Sequence, residues 1–434
     1  VLHLNLKLNL RNYNDKIKID AKYECKLILG GFQMKKINKN TGITLIALVV
    51  TIIVLLILAG VSIGMLTGQN GILNRASEAK EKTEDTQKDE DEKMQGYEDT
   101  INQYAPDLNG GILPTGTTPY LPNNTFSKKE GDLSTGLVIQ DANQNEYVWV
   151  EVPTTIYDNT EYNSSGAKKP SDSENYANIE ACLKAYTSEY SNSSYKDTDT
   201  DGTYSDDYKN MLKSVYTNGG FWIGRYEAGY EIDESKGETV RDYGTDYYTE
   251  HPITQQVVIK KNAYPYNWVR RDQAQTLAEG MNYTGVTSSL IYGVQWDLVL
   301  KFIETKGATP KANLTSNSTA IGNYNNNFWD ITNTNAKYSE NYGSSFTACP
   351  KQKTENASIL LTTGADTSFS LMNIYDIAGN VWKWTKEFGN ASYPCVYRGG
   401  SCGYNGSDFP AKYRDNNCTS YSNSVVGFRL GLWK

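Results

Sequence analysis

From Ile43 to Leu66 the chain reads ITLIALVVTIIVLLILAGVSIGML, 24 residues without a charge. A run of that length crosses a bilayer as one helix, since a helix satisfies its own backbone polar groups inside hydrocarbon. Lys35, Lys36 and Lys39 stand just before it, and the positive-inside rule keeps that side in the cytoplasm. Everything after Thr67 is then exported. A secretory signal peptide has a shorter apolar core followed by a small-residue cleavage site. Here the apolar run is long and the small residue, Gly42, precedes it. The expected location is the cell membrane, single pass, with the C-terminal part outside the cytoplasm at the cell surface.

Residues 1–33 show no sustained period and read as an upstream extension before a start at Met34. Residues 34–42 are a basic leader ending in Gly42. The order of basic start, Gly42 and long apolar helix resembles the type IV prepilin leader. That resemblance implies cleavage after Gly42, Ile43 as the new N-terminus, and entry into a pilus-like assembly. Pilins usually begin with Phe and carry Glu at the fifth mature position, where this chain has Ile43 and Ala47. Residues 67–104 follow as a charged stalk, almost wholly polar beyond Glu81. Residues 105–132, rich in Pro and Gly, read as a linker.

From Leu133 to Lys434 short strands and turns take over. GLVIQDANQNEYVWVEVP reads as strand, turn, strand, with Tyr147, Trp149 and Glu151 alternating against Val148, Val150 and Val152. WVRRDQAQTLAEGM (268–281) and YGVQWDLVLKFIE (292–304) carry apolar residues near helical spacing. Two helices among many strands predict an α+β domain. A net charge of -8 without a basic cluster argues against nucleic acid as a partner. Only His3 and His251 are present, which disfavours histidine-based zinc sites and Ser-His-Asp relays.

In order, YVWVEVP, GGFWIGRYEAG, NWVRRDQAQTLAEGM, SLIYGVQWDLV, NIYDIAGNVWKW, YRGGSC and VVGFRLGL resemble the formylglycine-generating enzyme and sulfatase-modifying-factor family. The resemblance covers about residues 135–434 and implies an elaborated C-type-lectin-like fold. Trp382 and Trp384, two apart on one strand face, read as core anchors. Arg398 and Arg429 flank glycine turns and read as framework residues that satisfy buried carbonyls or a carboxylate. The family's enzyme holds copper on two cysteines shortly after the RGGS turn. Those positions fall on Tyr404 and Phe409, and Cys402 comes two residues early, so no catalytic residue is expected. Five cysteines follow Cys25, an odd number, and an exported protein could pair Cys395 with Cys402. The family's calcium site would fall on Asp376, Gly379, Val381 and Lys383. An ammonium repels a hard cation that wants oxygen ligands. Lys383 is therefore expected to reach Asp376 in the ion's place, with no cofactor, and calcium is the weaker expectation.

Residues 398–425 remain as a candidate ligand loop. Tyr404, Phe409, Tyr413 and Tyr421, with Asn405, Asp408, Asn416, Asn417 and Asn423, have the composition of an antibody paratope. The placement between RGGS and GFRL resembles the variable region of diversity-generating-retroelement target proteins. Adenine mutation in those systems does not reach Gln, Glu, Met or Trp from Asn codons, and none of the four occurs from Gly399 to Val425. The expected function is a membrane-anchored, surface-displayed and non-catalytic adhesin or receptor with an extracellular protein or glycan ligand. A copper oxidase and a minor pilin-like subunit are the alternatives.

Overall fold

The structure, a computed structural model, describes residues 9–11, 18–20, 119–163 and 169–434. The leader, the processing point at Gly42 and Ile43, the apolar run 43–66 and the stalk lie outside the described residues. Among the described residues no helix is long and apolar enough to cross a membrane. Asn9–Arg11 pairs antiparallel with Lys18–Asp20.

The remaining described residues alternate helices and short strands. Ser127–Glu130 (β1), Val138–Gln140 (β2) and Glu146–Glu151 (β3) form an antiparallel meander. Tyr176–Tyr186 (α1) and Asp206–Asn218 (α2) follow, then Gly220–Gly224 (β4), Arg271–Glu279 (α3), Thr287–Leu290 (β5) and Gly293–Thr305 (α4). After a stretch of two- and three-residue strands come Trp382–Phe388 (β6), Cys395–Arg398 (β7), Arg414–Asn417 (β8), Val426–Phe428 (β9) and Leu430–Trp433 (β10). One sheet runs β1-β2-β3-β4-β10-β5 and the other β8-β7-β6-β9, with β9 parallel to β6.

The period-two pattern of β3 explains the layering. Val148 and Val150 join one core cluster with Ile179, Leu183, Met211, Leu212 and Leu298, from α1, α2 and α4. Tyr147 and Trp149 point the other way and join Ala274 and Ala278 of α3 with Trp384, Tyr397 and Phe428 of the second sheet. The first sheet is therefore covered on both faces, and burial of its side chains supplies the main driving force.

Two elements differ from the sequence reading. The folded part begins before Leu133: Tyr120 and Phe126 are buried and β1 edges the first sheet, so the linker does not extend to residue 132. Short apolar runs among polar residues hid them. Helices α1 and α2 were not anticipated, although α2 carries clear end signals. Ser205 caps it by accepting from Tyr208 N, Asp206 and Asp207 fill its first turn, and Gly219 closes it at φ +68°.

Helix α4 begins on a buried carboxylate. Asp197 accepts from Gly293 N at 2.6 Å and Val294 N at 2.8 Å. Gly293 is required there, because a Cβ would lie 2.1 Å from Glu387 Cδ. Burial, reinforced by the Glu387 charge, pushes the Asp197 carboxyl up to about 7. The folded state thus holds this proton more tightly than the unfolded chain, so stability from this group is lost as pH rises from about 4 to 7. Urea midpoints across that range are expected to show wild type losing stability relative to Asp197→Asn as pH rises. A pH-independent difference would refute this assignment.

Candidate ligand-binding face

The segment 398–425 starts at the end of β7, contains β8 and stops just before β9. Its base is fixed by four buried charges. Arg398 reaches Asp297 Oδ1 at 2.8 Å and Glu387 Oε2 at 3.1 Å. Arg414 reaches Asp297 Oδ2 and Glu387 Oε1, each at 2.7 Å. Each guanidinium bridges both carboxylates, and each carboxylate is shared by both guanidinia. Burial raises the Asp297 carboxyl against the pull of Arg414 and Arg398. Burial pushes Glu387 the same way, yet Arg414 and Arg398 together bring it below its ordinary value. Arg414 also donates to Tyr190 O at 2.7 Å, which ties β8 to the turn after α1. Arg429 donates to the carbonyls of Gly224 and Tyr375, where the chain passes from one sheet to the other.

Beyond this base the loop backbone is pinned to residues 314–326. Asn325 N donates to Tyr404 O, Ser318 N to Gly406 O, and Lys412 N to Leu314 O, at 2.8 to 3.0 Å. Gly406 N donates to Asn326 Oδ1, and Ala411 N to Ser318 Oγ. Tyr324 OH donates to the carbonyls of Gly399 and Phe409. At Gly406 a Cβ would lie 2.3 Å from Thr319 N, so only glycine permits this approach.

On that fixed backbone sits a continuous aromatic surface. Phe409 packs at 4.6 Å from Tyr404 and 4.9 Å from Tyr413, ring centre to ring centre. All three rest on Trp382, at 5.6 to 6.2 Å. Trp382 contacts Tyr397 at 5.0 Å, and Tyr397 lies 6.4 Å from Tyr421. Trp384 is buried behind Tyr397 with its Nε1 on Val269 O at 2.9 Å. Tyr404 is 45% exposed and Tyr413 38%, whereas Phe409 and Tyr421 are half-buried. Sequence reasoning missed Tyr248, 62% exposed and 5.8 Å from the Tyr421 ring. It lies far away in the chain, in a tyrosine-rich stretch (DYGTDYYTE) that offered no means of choosing among its rings.

The polar candidates divide. Asp408 is exposed, and Asn405 Nδ2 donates to it at 3.2 Å. Asn416 and Asn417 lie half-buried on β8, and Asn417 Oδ1 accepts from Cys418 N. Asn423 spends its amide on its own turn: Oδ1 accepts from Val425 N at 3.0 Å and Nδ2 donates to Tyr421 OH at 3.0 Å. It orients Tyr421 rather than presenting its own amide. Replacing Tyr404 or Tyr413 by Ala is expected to lower the unfolding free energy by only about 1 kcal/mol, the worth of the inner-face contacts with Phe409 and Trp382, since each ring also has an outer face open to solvent. A larger loss in chemical denaturation would mean that these rings hold the loop together.

The thiols and the ion position differ from expectation. Cys395 and Cys402 are both buried without a disulfide, so the suggested pair is not formed. Cys402 packs with Leu360, Val381 and Val425, and burial pushes its thiol up to about 12. Such a thiol stays protonated and is a poor ligand for a soft metal. Lys383 does not pair with Asp376, which accepts from Gly364 N at 2.7 Å. Its Nζ donates instead to Gly379 O at 2.6 Å and lies 3.4 Å from Glu227 Oε2. These residues do not fit a calcium ion: a side chain already occupies the Gly379 carbonyl, and no carboxylate stands at Lys383.

No family model matches the chain, and no curated protein does. Among solved structures it is similar to Treponema denticola variable protein 1, at 16% identity and a TM-score of 0.28 over 50% of this chain and 85% of that one. It is also similar to CarF, at 13% identity and a TM-score of 0.27 over 50% and 87% of the two chains. A third is PvdO from Pseudomonas aeruginosa, at 16% identity and a TM-score of 0.26 over 50% and 82%.

Proposed function

We propose that the chain is a non-catalytic, surface-displayed binding protein whose ligand contacts the aromatic face at residues 404–421. One observation carries this reading: the backbone of 404–412 is hydrogen-bonded into the scaffold while the side chains of Tyr404, Ser407, Asp408 and Tyr413 face solvent. A rigid backbone with outward rings loses little entropy when a partner covers it. The same division suits a segment diversified by a retroelement, since outward positions vary without disturbing the fold. The run 43–66, after its lysines, supports anchoring this face outside the cytoplasm. A protein or glycan partner is expected, without nucleic acid. The oxidase alternative is disfavoured by the side chains themselves, with rings at Tyr404 and Phe409 and a buried thiol at Cys402.

A display library that varies positions 404, 405, 407, 408 and 413 tests this. Most members are expected to fold, and selection on an immobilised globular protein such as lysozyme should enrich binders whose sequences converge at those positions. If most members fail to fold, or enriched clones carry their differences elsewhere, the reading is wrong.

A further inference from the structure

Glu227, Asn380 and Lys383 are buried together, and their contacts are unusual for a structural ion pair. Asn380 Nδ2 donates to Glu227 Oε1 and, at 3.1 Å, to Leu361 O. Asn380 Oδ1 accepts from Asn323 Nδ2 at 2.9 Å and Leu361 N at 3.0 Å. Glu227 Oε2 is buried with no hydrogen-bond partner among the described residues and lies 3.4 Å from Lys383 Nζ. One carboxylate therefore touches the carboxamide nitrogen with one oxygen and faces the amine with the other. The amine itself sits on Gly379 O, in the peptide unit that leads into Asn380.

We infer that Lys383 and Asn380 become joined by an intramolecular isopeptide bond, with Glu227 as the proton carrier. Lys383 Nζ attacks Asn380 Cγ and a new C–N bond forms. Charge developing on Oδ1 meets the Asn323 and Leu361 N–H groups, which already point at it. Glu227 takes a proton from the attacking nitrogen through Oε2 as its own acid proton passes from Oε1 to Nδ2, so it ends in the form in which it began. The bond from Cγ to Nδ2 breaks and ammonia leaves, so an amine and a carboxamide become a secondary amide and ammonia with no redox change. Burial favours the neutral reactants: it pulls the Lys383 amine down to about 8 and pushes the Glu227 carboxyl up to about 7. The product removes a titratable amine from a dry site and fixes the turn before Trp382.

Peptide mapping of the purified full chain decides the matter. Trypsin normally cuts after Lys383, and an acylated lysine blocks that cut. The expected result is a peptide running from Thr354 through Lys383 to Lys386, lighter than its sequence by one ammonia, with fragmentation failing to separate residues 380–383. Cleavage after Lys383 with unmodified mass overturns the proposal. So does a peptide that is one ammonia lighter but still ends at Lys383, which marks a backbone succinimide at Asn380 instead. In Glu227→Gln the full mass and the cut should return; a linked peptide in that variant would overturn the role given to Glu227. If that variant fails to fold, the wild-type map alone still decides whether the bond exists.

Discussion

Replacing Arg414 with Ala is expected to destabilise the folded domain by about 3–5 kcal/mol, the cost of leaving two buried carboxylates to share a single cation. Asp297 and Glu387 would each keep only Arg398, and the carbonyl of Tyr190 would lose its donor. In a domain of this size the thermal midpoint should fall by roughly 10 °C. Arg414→Lys should rescue little, because an ammonium cannot span two carboxylates as the planar guanidinium does. The result separates two classes of residue within one surface segment. Tyr413 next door should cost only about 1 kcal/mol, while Arg414 should be severe. A thermal midpoint for Arg414→Ala within a few degrees of wild type, about the shift of one kcal/mol, would show that the four-charge arrangement does not support β8.

Trp382→Ala is the second large effect. Trp382 is only 3% exposed, and it touches Tyr397, Tyr404, Phe409 and Tyr413 together. Deleting it removes the floor of the aromatic surface and leaves a cavity, at a cost of about 3–5 kcal/mol. Binding should fall as well, since the three loop rings would lose the surface that orders them. Trp382→Phe, which fills part of the space, should recover most of the stability. Stability and binding measured on both variants would show whether the floor is needed for recognition or only for folding. Loss of binding in Trp382→Phe at near-native stability would mean that the indole contacts the partner directly.

Much of the sheet layering was readable from the chain. The alternation at Tyr147–Val152 fixed which side chains enter each core, and helices α3 and α4 followed from apolar spacing. The edges of the folded part were less legible, because Tyr120 and Phe126 are isolated apolar residues in polar surroundings. Residue types marked Tyr404, Phe409 and Tyr413 as a group, and the structure does bring them together on Trp382. Which residue faces inward was not legible: Asn423 and Arg414 resemble display residues by composition, yet both are committed to the scaffold. Glu227 was missed for a related reason. Its partners, Asn380 and Lys383, lie more than 150 residues away, so no local pattern connects them.

Strand β10 lies between β4 and β5, and it follows segment 398–425 in the chain. On a ribosome this interior strand of the first sheet is therefore made after every position in 398–425. A reading-frame error or stop codon within that segment would leave Trp222 and Ile223 without their partners on β10, and the nascent domain could not close. Only copies whose segment 398–425 was translated through in frame would mature, so closure of the first sheet reports on the reading frame of everything before β10.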